Sequence, residues 1–481
     1  MPLFTRLLGR IFVGVLGLAS LSSAGVLRAR ITEGVKIDYK EPSICETIPG
    51  VKSYSGYLTL PSTRVQPYEQ KLFFWFFESR DSPETAPLSL WLLRPLRNFS
   101  KSGCSSIGGH YAPAIAKLLQ SRAHSHSGAL PVTVDTVGII SGFTDWQIQV
   151  ESFPRFAINN TYGIQAYDLE VAESAAYNWS SPGGCKEQVE RCRALTPNSY
   201  RDQFGTNSTV MEVCGGASIW CWNNVYGAYD ALSGRDPFDI GRLTPNSIAP
   251  PYFYGFLAQE WVLKALGAEV NYTQNNNPTA SGKFNNITLY SVSEGFLAAG
   301  DFAFDGFRED LGSLLDDGVK VALIHGDLDF RCNWVGGETV SLAIDYEDKH
   351  DFAAAGYAPV STNESYVGGS VRQYGGFSFS RVFQAGHAIG YYQPETAYQI
   401  FTRTILGPSS VDQDSDYATE GPSSVFDVKN EPPAQSASEC YVYSNPLRLT
   451  CTEEQIAALL EGTAVVKNNV MVSPAGRPAS A

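Results

Sequence analysis

Three well-separated stretches of the chain share one form: "VDTVGIISGF" (Val134–Phe143), "VKVALIHGDLDF" (Val319–Phe330) and "FSFSRVFQAGH" (Phe377–His387). Each is a short apolar run, rich in β-branched residues, that ends in a polar loop containing glycine. Runs of this kind are strands buried on both faces. "YAPAIAKLLQSR" (Tyr111–Arg122) reads as a helix, with Pro113 tolerated in its first turn. Strands alternating with helices predict an α/β fold, a mostly parallel sheet with helices on both faces. In such sheets the chemistry gathers beyond the carboxyl ends of the strands. Further β-rich runs lie upstream, at Tyr54–Leu60, Lys71–Glu78 and Leu88–Leu93.

The 481 residues give room for one large domain with insertions, or for two domains. Asp145 to about Asp317 carries four cysteines and no strong strand pattern, which predicts a helical lid inserted over the sheet between about 145 and 317. From about Ser409 to Ala481 the chain is rich in Ser, Pro, Asp and Glu. One ordered island is expected there, from a capping box at Thr452–Gln455 to a helix stop at Gly462. The expected division is thus a leader (1–24), a main domain (25–408) and a tail (409–481).

The leader reads as a secretory signal. Arg6 and Arg10 precede an apolar run from Ile11 to Leu21, and Ser22-Ser23-Ala24 offers small residues for cleavage. The run is too short to span a bilayer, and no later segment has the ~20 apolar residues that a spanning helix needs. Seven Asn-x-Ser/Thr sequons agree with export, at Asn98, Asn159, Asn178, Asn207, Asn271, Asn286 and Asn363. The formal charge of −14 disfavours a nucleic-acid partner, because phosphate backbones are repelled.

Nine cysteines leave at least one unpaired within the chain. Cys185, Cys192, Cys214 and Cys221 are close enough to nest as 185–221 and 192–214, and Cys440 with Cys451 closes a short loop. Cys45 and Cys104 remain as a long-range pair, which leaves Cys332 free. Spacing alone does not fix this connectivity.

Acyl transfer by serine needs a base for the hydroxyl proton, a carboxylate to orient that base, and N–H donors for the oxyanion. The chain supplies the residue types in the order Ser106, Asp327 or Asp329, His387. Of six histidines, His124 and His126 sit in a polar loop, His350 in a charged run, His325 inside an apolar strand, and His110 at a helix start. His387 alone follows a strand and a glycine where a base would face a cleft.

"FFWFFESRDSPETAPLSLWL", "TVGIISGFTDWQIQVESFPRFAINNTYGI", "VKVALIHGDLDFRCNWVGGE" and "RVFQAGHAIGYYQPETA" resemble the serine carboxypeptidases of the secreted fungal type, as does "CTEEQIAALLEGTAVV" near the end. The resemblance implies an α/β-hydrolase fold, secretion, glycosylation, no cofactor, and release of single residues from peptide or protein C-termini. It makes Asp329 the triad acid, His387 the base, and Cys332 a free thiol near the substrate pocket.

"KSGCSSIGGHYAP" (101–113) departs from the family. Relatives carry an oxyanion loop Asn-Gly-Gly-Pro-Gly-x-Ser-Ser after "LWL" and, far downstream, a nucleophile turn Glu-Ser-Tyr-Gly-Gly-His-Tyr. Here Gly103–Ser106 match the end of the first and Ser106–Tyr111 the second. Ser106 is then the nucleophile, Ser105 stands for the glutamate, Ile107 for the tyrosine, and part of the central sheet is missing. Ala388 follows the base where relatives often have glutamate, at the substrate-binding position. The open outcomes are an active carboxypeptidase, a secreted glycoprotein of that descent with impaired or no catalysis, a gene model missing an internal segment, and an acyltransferase or lipase on the same fold.

Overall fold

The computed structural model describes residues 26–27, 35–62, 68–83, 86, 88–90, 108–124, 133–196, 207–245, 256–257, 259–268, 299–406, 418–427, 431, 439–442, 447 and 450–475. Ser106, Cys104, Asn98, Asn271, Asn286 and the 1–24 leader lie outside them. Strands β1 (Val26–Leu27), β2 (Lys36–Lys40), β3 (Ser53–Leu60) and β4 (Gln70–Phe77) form an antiparallel meander in that order. β3 is buried along its whole length. Gly56 in it is required, because a Cβ there would strike the Asp38 carbonyl of β2. β4 is the outer strand, with Leu72, Phe73 and Phe77 exposed. Leu88–Leu90, read from sequence as the start of a strand, are not in one, and the rest of that run lies outside the described residues.

The second sheet has the order β5 (Thr136–Ile140), β8 (Lys320–Gly326), β11 (Phe377–Val382), β10 (Tyr366–Tyr374), β9 (Tyr357–Asn363). Its first three strands are parallel and contain the three runs that opened the sequence analysis. The last two pairings are antiparallel, so the sheet is mixed rather than mostly parallel. β9 and β10 close a hairpin at Asn363–Tyr366, which needs no crossover helix.

The period of two along a strand sorts the side chains to two faces. Val137 and Ile139 of β5, Val321 and Leu323 of β8, and Phe377 and Phe379 of β11 share one core. Helices α1 (Gly108–His124), α2 (Trp146–Ile158), α8 (Phe307–Asp316) and α9 (Trp334–Ala343) contribute Ala114, Trp146, Leu311 and Val340 to it. Ala322, Ile324 and Val382 point the other way, toward Ile389 of α11 (Ile389–Tyr392) and Ile400 of α12 (Pro394–Leu406). Both faces are covered, as an α/β fold requires.

Between β5 and β8 the described chain is largely helical. α3 (Leu169–Ser180), α4 (Cys185–Ala194) and α5 (Ser208–Cys221) are followed by a π-turn at Trp222–Tyr226, then α6 (Gly227–Leu232). A hairpin of β6 (Arg235–Asp236) and β7 (Asp239–Leu243) precedes α7 (Glu260–Leu266). The nested bridges Cys185–Cys221 and Cys192–Cys214 join α4 to α5. The ends of this excursion are not peripheral: Trp146, Val150 and Phe153 of α2 are wholly buried in the main core.

Beyond α10 (Lys349–Ala354) and α12, the tail carries the Cys440–Cys451 bridge, α13 (Glu453–Glu461) and the hairpin of β12 (Val465–Lys467) and β13 (Val470–Ser473). Thr452 and Gln455 form the expected capping box, and Gly462 ends the helix with φ of 70°. Cys332 is buried and takes part in no disulfide. Cys45 is exposed and lies outside any disulfide, and Cys104, its expected partner, falls outside the described residues.

Candidate active site

β8 and β11 run parallel and end side by side, with Gly326 opposite Val382. The loop after β8 carries Asp327, Leu328 and Asp329; the loop after β11 carries Ala385, Gly386 and His387. Leu328 N donates to Ala385 O at 2.9 Å, which holds the loops together. Gly326 permits this approach, because a Cβ there would strike the Ala385 and Gly386 carbonyls.

His387 Nδ1 lies 2.7 Å from Asp329 Oδ2, and both side chains are buried. The Cys332 amide donates to Asp329 Oδ1 at 3.1 Å, so each carboxylate oxygen has a partner. His387 Nε2 is buried and has no hydrogen-bond partner among the described residues. A carboxylate on Nδ1 fixes the neutral ring as the Nδ1–H tautomer and leaves Nε2 as a free acceptor. Such a ring is set up to take a proton.

The first aspartate of "GDLDF" has a different role. Asp327 pairs with Arg381 at 3.1 Å, both fully buried, and accepts from the hydroxyl of the half-buried Tyr162 at 2.7 Å. Burial, then the Asp327 charge, pushes the Tyr162 phenol well above its ordinary value. Gln384 N donates to the same phenol oxygen at 2.9 Å, so Tyr162 braces the ends of both loops. Of the two aspartates that residue order left open, Asp329 is the one within hydrogen-bond distance of the imidazole, while Asp327 is engaged by Arg381 and Tyr162.

His325, His110 and His350 fall where their contexts placed them. His325 is buried against Phe379, its Nδ1 lies 2.9 Å from Cys332 O, and burial pulls its pKa down. His110 is buried, stacks on Phe307 and pairs with Asp301 at 3.0 Å. His350 is exposed, and the His124 and His126 side chains lie outside the described residues. α1 starts at Gly108, two residues after Ser106. Gly109 docks that start onto the end of β5, where a Cβ would strike the Phe143 carbonyl.

The Asp329, Cys332 and His387 ligand atoms lie within 4.8 Å of one another. The Asp329–His387 hydrogen bond already uses the facing atoms, so the cluster is arranged to share a proton rather than to hold a cation. Ala388 is half-buried and opens α11. Sequence reasoning missed the β6–β7 turn, although "RDPFDIGR" has proline between two aspartates, an ordinary turn signal. It missed Tyr162 altogether, because a lone tyrosine after a helix carries no distinguishing pattern.

Of the sequon asparagines, Asn159, Asn207 and Asn363 are exposed. Asn178 is half-buried, and its Nδ2 donates to Asn224 O at 3.0 Å.

The sequence pattern of the family described as serine carboxypeptidase matches residues 42–93 and 102–407. The interruption falls just before the "GCSSIGGHY" segment. Carboxypeptidase S1 homolog B of Arthroderma otae is 31% identical over 594 aligned positions, covering 93% of this chain and 88% of that protein. Carboxypeptidase S1 homolog A of Trichophyton rubrum is 31% identical over 94% of this chain and 89% of its own length. Both matches run more than a hundred positions beyond the 481 residues present here, so this chain lacks internal segments that its relatives have. Among solved structures, KEX1(delta)p, a prohormone-processing carboxypeptidase from Saccharomyces cerevisiae, overlays with a TM-score of 0.39 at 14% identity, over 66% of this chain and 64% of that one. With the family pattern matched over most of its length and the α/β architecture in place, the chain belongs to the serine carboxypeptidase family.

Proposed function

We propose that this protein is a secreted, glycosylated serine carboxypeptidase that releases C-terminal residues from peptides through Ser106, His387 and Asp329, without a cofactor. The reading is carried by one observation: a buried Asp329–His387 hydrogen bond that leaves Nε2 without a partner among the described residues. In the proposed step His387 Nε2 takes the Ser106 hydroxyl proton as Oγ attacks the scissile carbonyl. The tetrahedral intermediate collapses as His387 returns that proton to the leaving amine, and water releases the acyl group by the same route. Asp329 keeps the ring aligned and stabilises the imidazolium. Cys332 and Ala388 flank the base as candidate pocket residues.

A fluorophosphonate probe tests this reading. Labelling of the folded protein that disappears in Ser106→Ala and collapses in His387→Ala is the expected result. No labelling of the folded wild-type chain overturns it.

A second reading, a secreted glycoprotein of this family without catalysis, is favoured by the interruption at residues 94–101. The oxyanion donors of relatives belong to this region, and losing one such donor costs on the order of 3 kcal/mol of transition-state stabilisation. Sequencing the message across codons 94 to 106 separates the accounts. An additional coding segment there restores the enzyme reading for the longer chain, while an uninterrupted message together with absent labelling leaves the non-catalytic one.

A further inference from the structure

The β6–β7 hairpin turns through Pro237 and Phe238, with Asp236 opposite Asp239. Three backbone hydrogen bonds tie it to the two loops of the site. Arg331 N donates to Pro237 O at 2.9 Å and Ile240 N to Leu328 O at 2.8 Å, both from or to the chain around Asp329. His387 N donates to Phe238 O at 2.9 Å. The Phe238 ring also meets the His387 ring edge-on, with centroids 5.0 Å apart. One turn therefore sets the height of both the acid and the base.

Asp239 anchors that turn from behind. It is fully buried; Oδ1 accepts from Gly241 N at 2.9 Å, and Oδ2 accepts from Arg242 Nε at 3.1 Å and from the Tyr392 hydroxyl at 2.9 Å. Tyr392 lies on α11, which begins two residues after His387. Gly386 sits in the angle between them, where a Cβ would press on the Phe238 carbonyl and on the Tyr392 hydroxyl. The hairpin, the histidine loop and α11 thus converge on one carboxylate that does not itself touch the dyad.

We propose that Asp239 is a positioning residue for the Asp329–His387 pair, acting through the Pro237–Phe238 turn and its bond to Tyr392. The inference rests on reading that pair as the acid–base unit, but it is tested on the pair's backbone and not on turnover. On the hairpin, Asp239 faces Asp236 and Arg242, with Arg235 beyond. Tyr229 and Asp230 face this cluster from α6, Tyr392 from α11, and His387 stands across Phe238. Burial first, then the Asp236 charge, pushes the Asp239 carboxyl up to about 6. Above that pH the carboxylate accepts from all three donors. Below it the neutral acid accepts less strongly, the link to Tyr392 and Arg242 weakens, and the turn loosens.

The test follows the amides of residue 387 and Ile240 by 15N NMR from pH 4.5 to 8, in the His387→Gln chain so that no imidazole titration is superimposed. Both amides should show a common step near pH 6. Adding Asp239→Asn should abolish the step. Adding Tyr392→Phe should move it to higher pH, because the lost donor favoured the charged form. Thermal melting at pH 7.5 checks that each variant is folded; should Asp239→Asn not fold, the Tyr392→Phe shift decides. A step that survives Asp239→Asn, or one that Tyr392→Phe leaves in place, overturns the proposal. Absent fluorophosphonate labelling would overturn the catalytic reading while leaving this step intact.

Discussion

Two aspartates two positions apart serve unlike purposes, and substitution should separate them. Asp327→Ala leaves the Arg381 guanidinium buried without its carboxylate. The expected cost is about 3–5 kcal/mol of stability, read by chemical denaturation. Asp329→Asn keeps the shape of the site but offers an amide to His387 Nδ1. If the proposed chemistry holds, fluorophosphonate labelling should slow by on the order of 10⁴, with a much smaller change in the denaturation midpoint than Asp327→Ala gives. The residue-scale reading was legible as far as motif and spacing allowed. "GDLDF" announced an acidic loop, and among its two aspartates it was the resemblance that singled out Asp329. The pairing of Cys45 with Cys104 came by elimination, which contains no information about distance.

At the scale of elements, the site depends on close approaches that only glycine permits. Gly109→Ala would push α1 off the end of β5, and the expected loss is about 1–3 kcal/mol, measured by thermal or urea unfolding. The hairpin adds a pH dependence whose sign is fixed. The folded Asp239 carboxyl, pushed up to about 6, holds its proton more tightly than an unfolded one at 3.8. Its favourable contribution is therefore complete below the ordinary value and is lost as pH rises to about 6, a change on the order of 3 kcal/mol. Wild-type stability should fall over that window relative to Asp239→Asn, and parallel slopes for the two proteins would contradict this. The parallel strands were legible because both of their faces are apolar. The hairpin was not, since β6 has two residues and its register is set by tertiary bonds to loops far along the chain.

For the whole molecule, the division into two sheets matters most. Sequence supplied the missing stretch at residues 94–106 as a mismatch with two family motifs, and the interrupted family match falls in the same place. It did not reveal that β4 would be the last strand of the meander, because an apolar, β-rich run such as "KLFFWFF" does not say which strand lies at an edge. As an outer strand β4 leaves aromatic side chains in water, a recognised route to self-association. Phe73→Lys should reduce light scattering at raised concentration without lowering the melting temperature; unchanged scattering would mean the strand is covered in solution. Tyr162 sets a further property of the molecule. Its hydroxyl resists ionisation, donates to Asp327 and takes the Gln384 amide, so an alkaline buffer cannot strip this rivet from the two loops at once. In alkaline buffer this tie between the two loops should persist past the pH at which an ordinary phenol ionises.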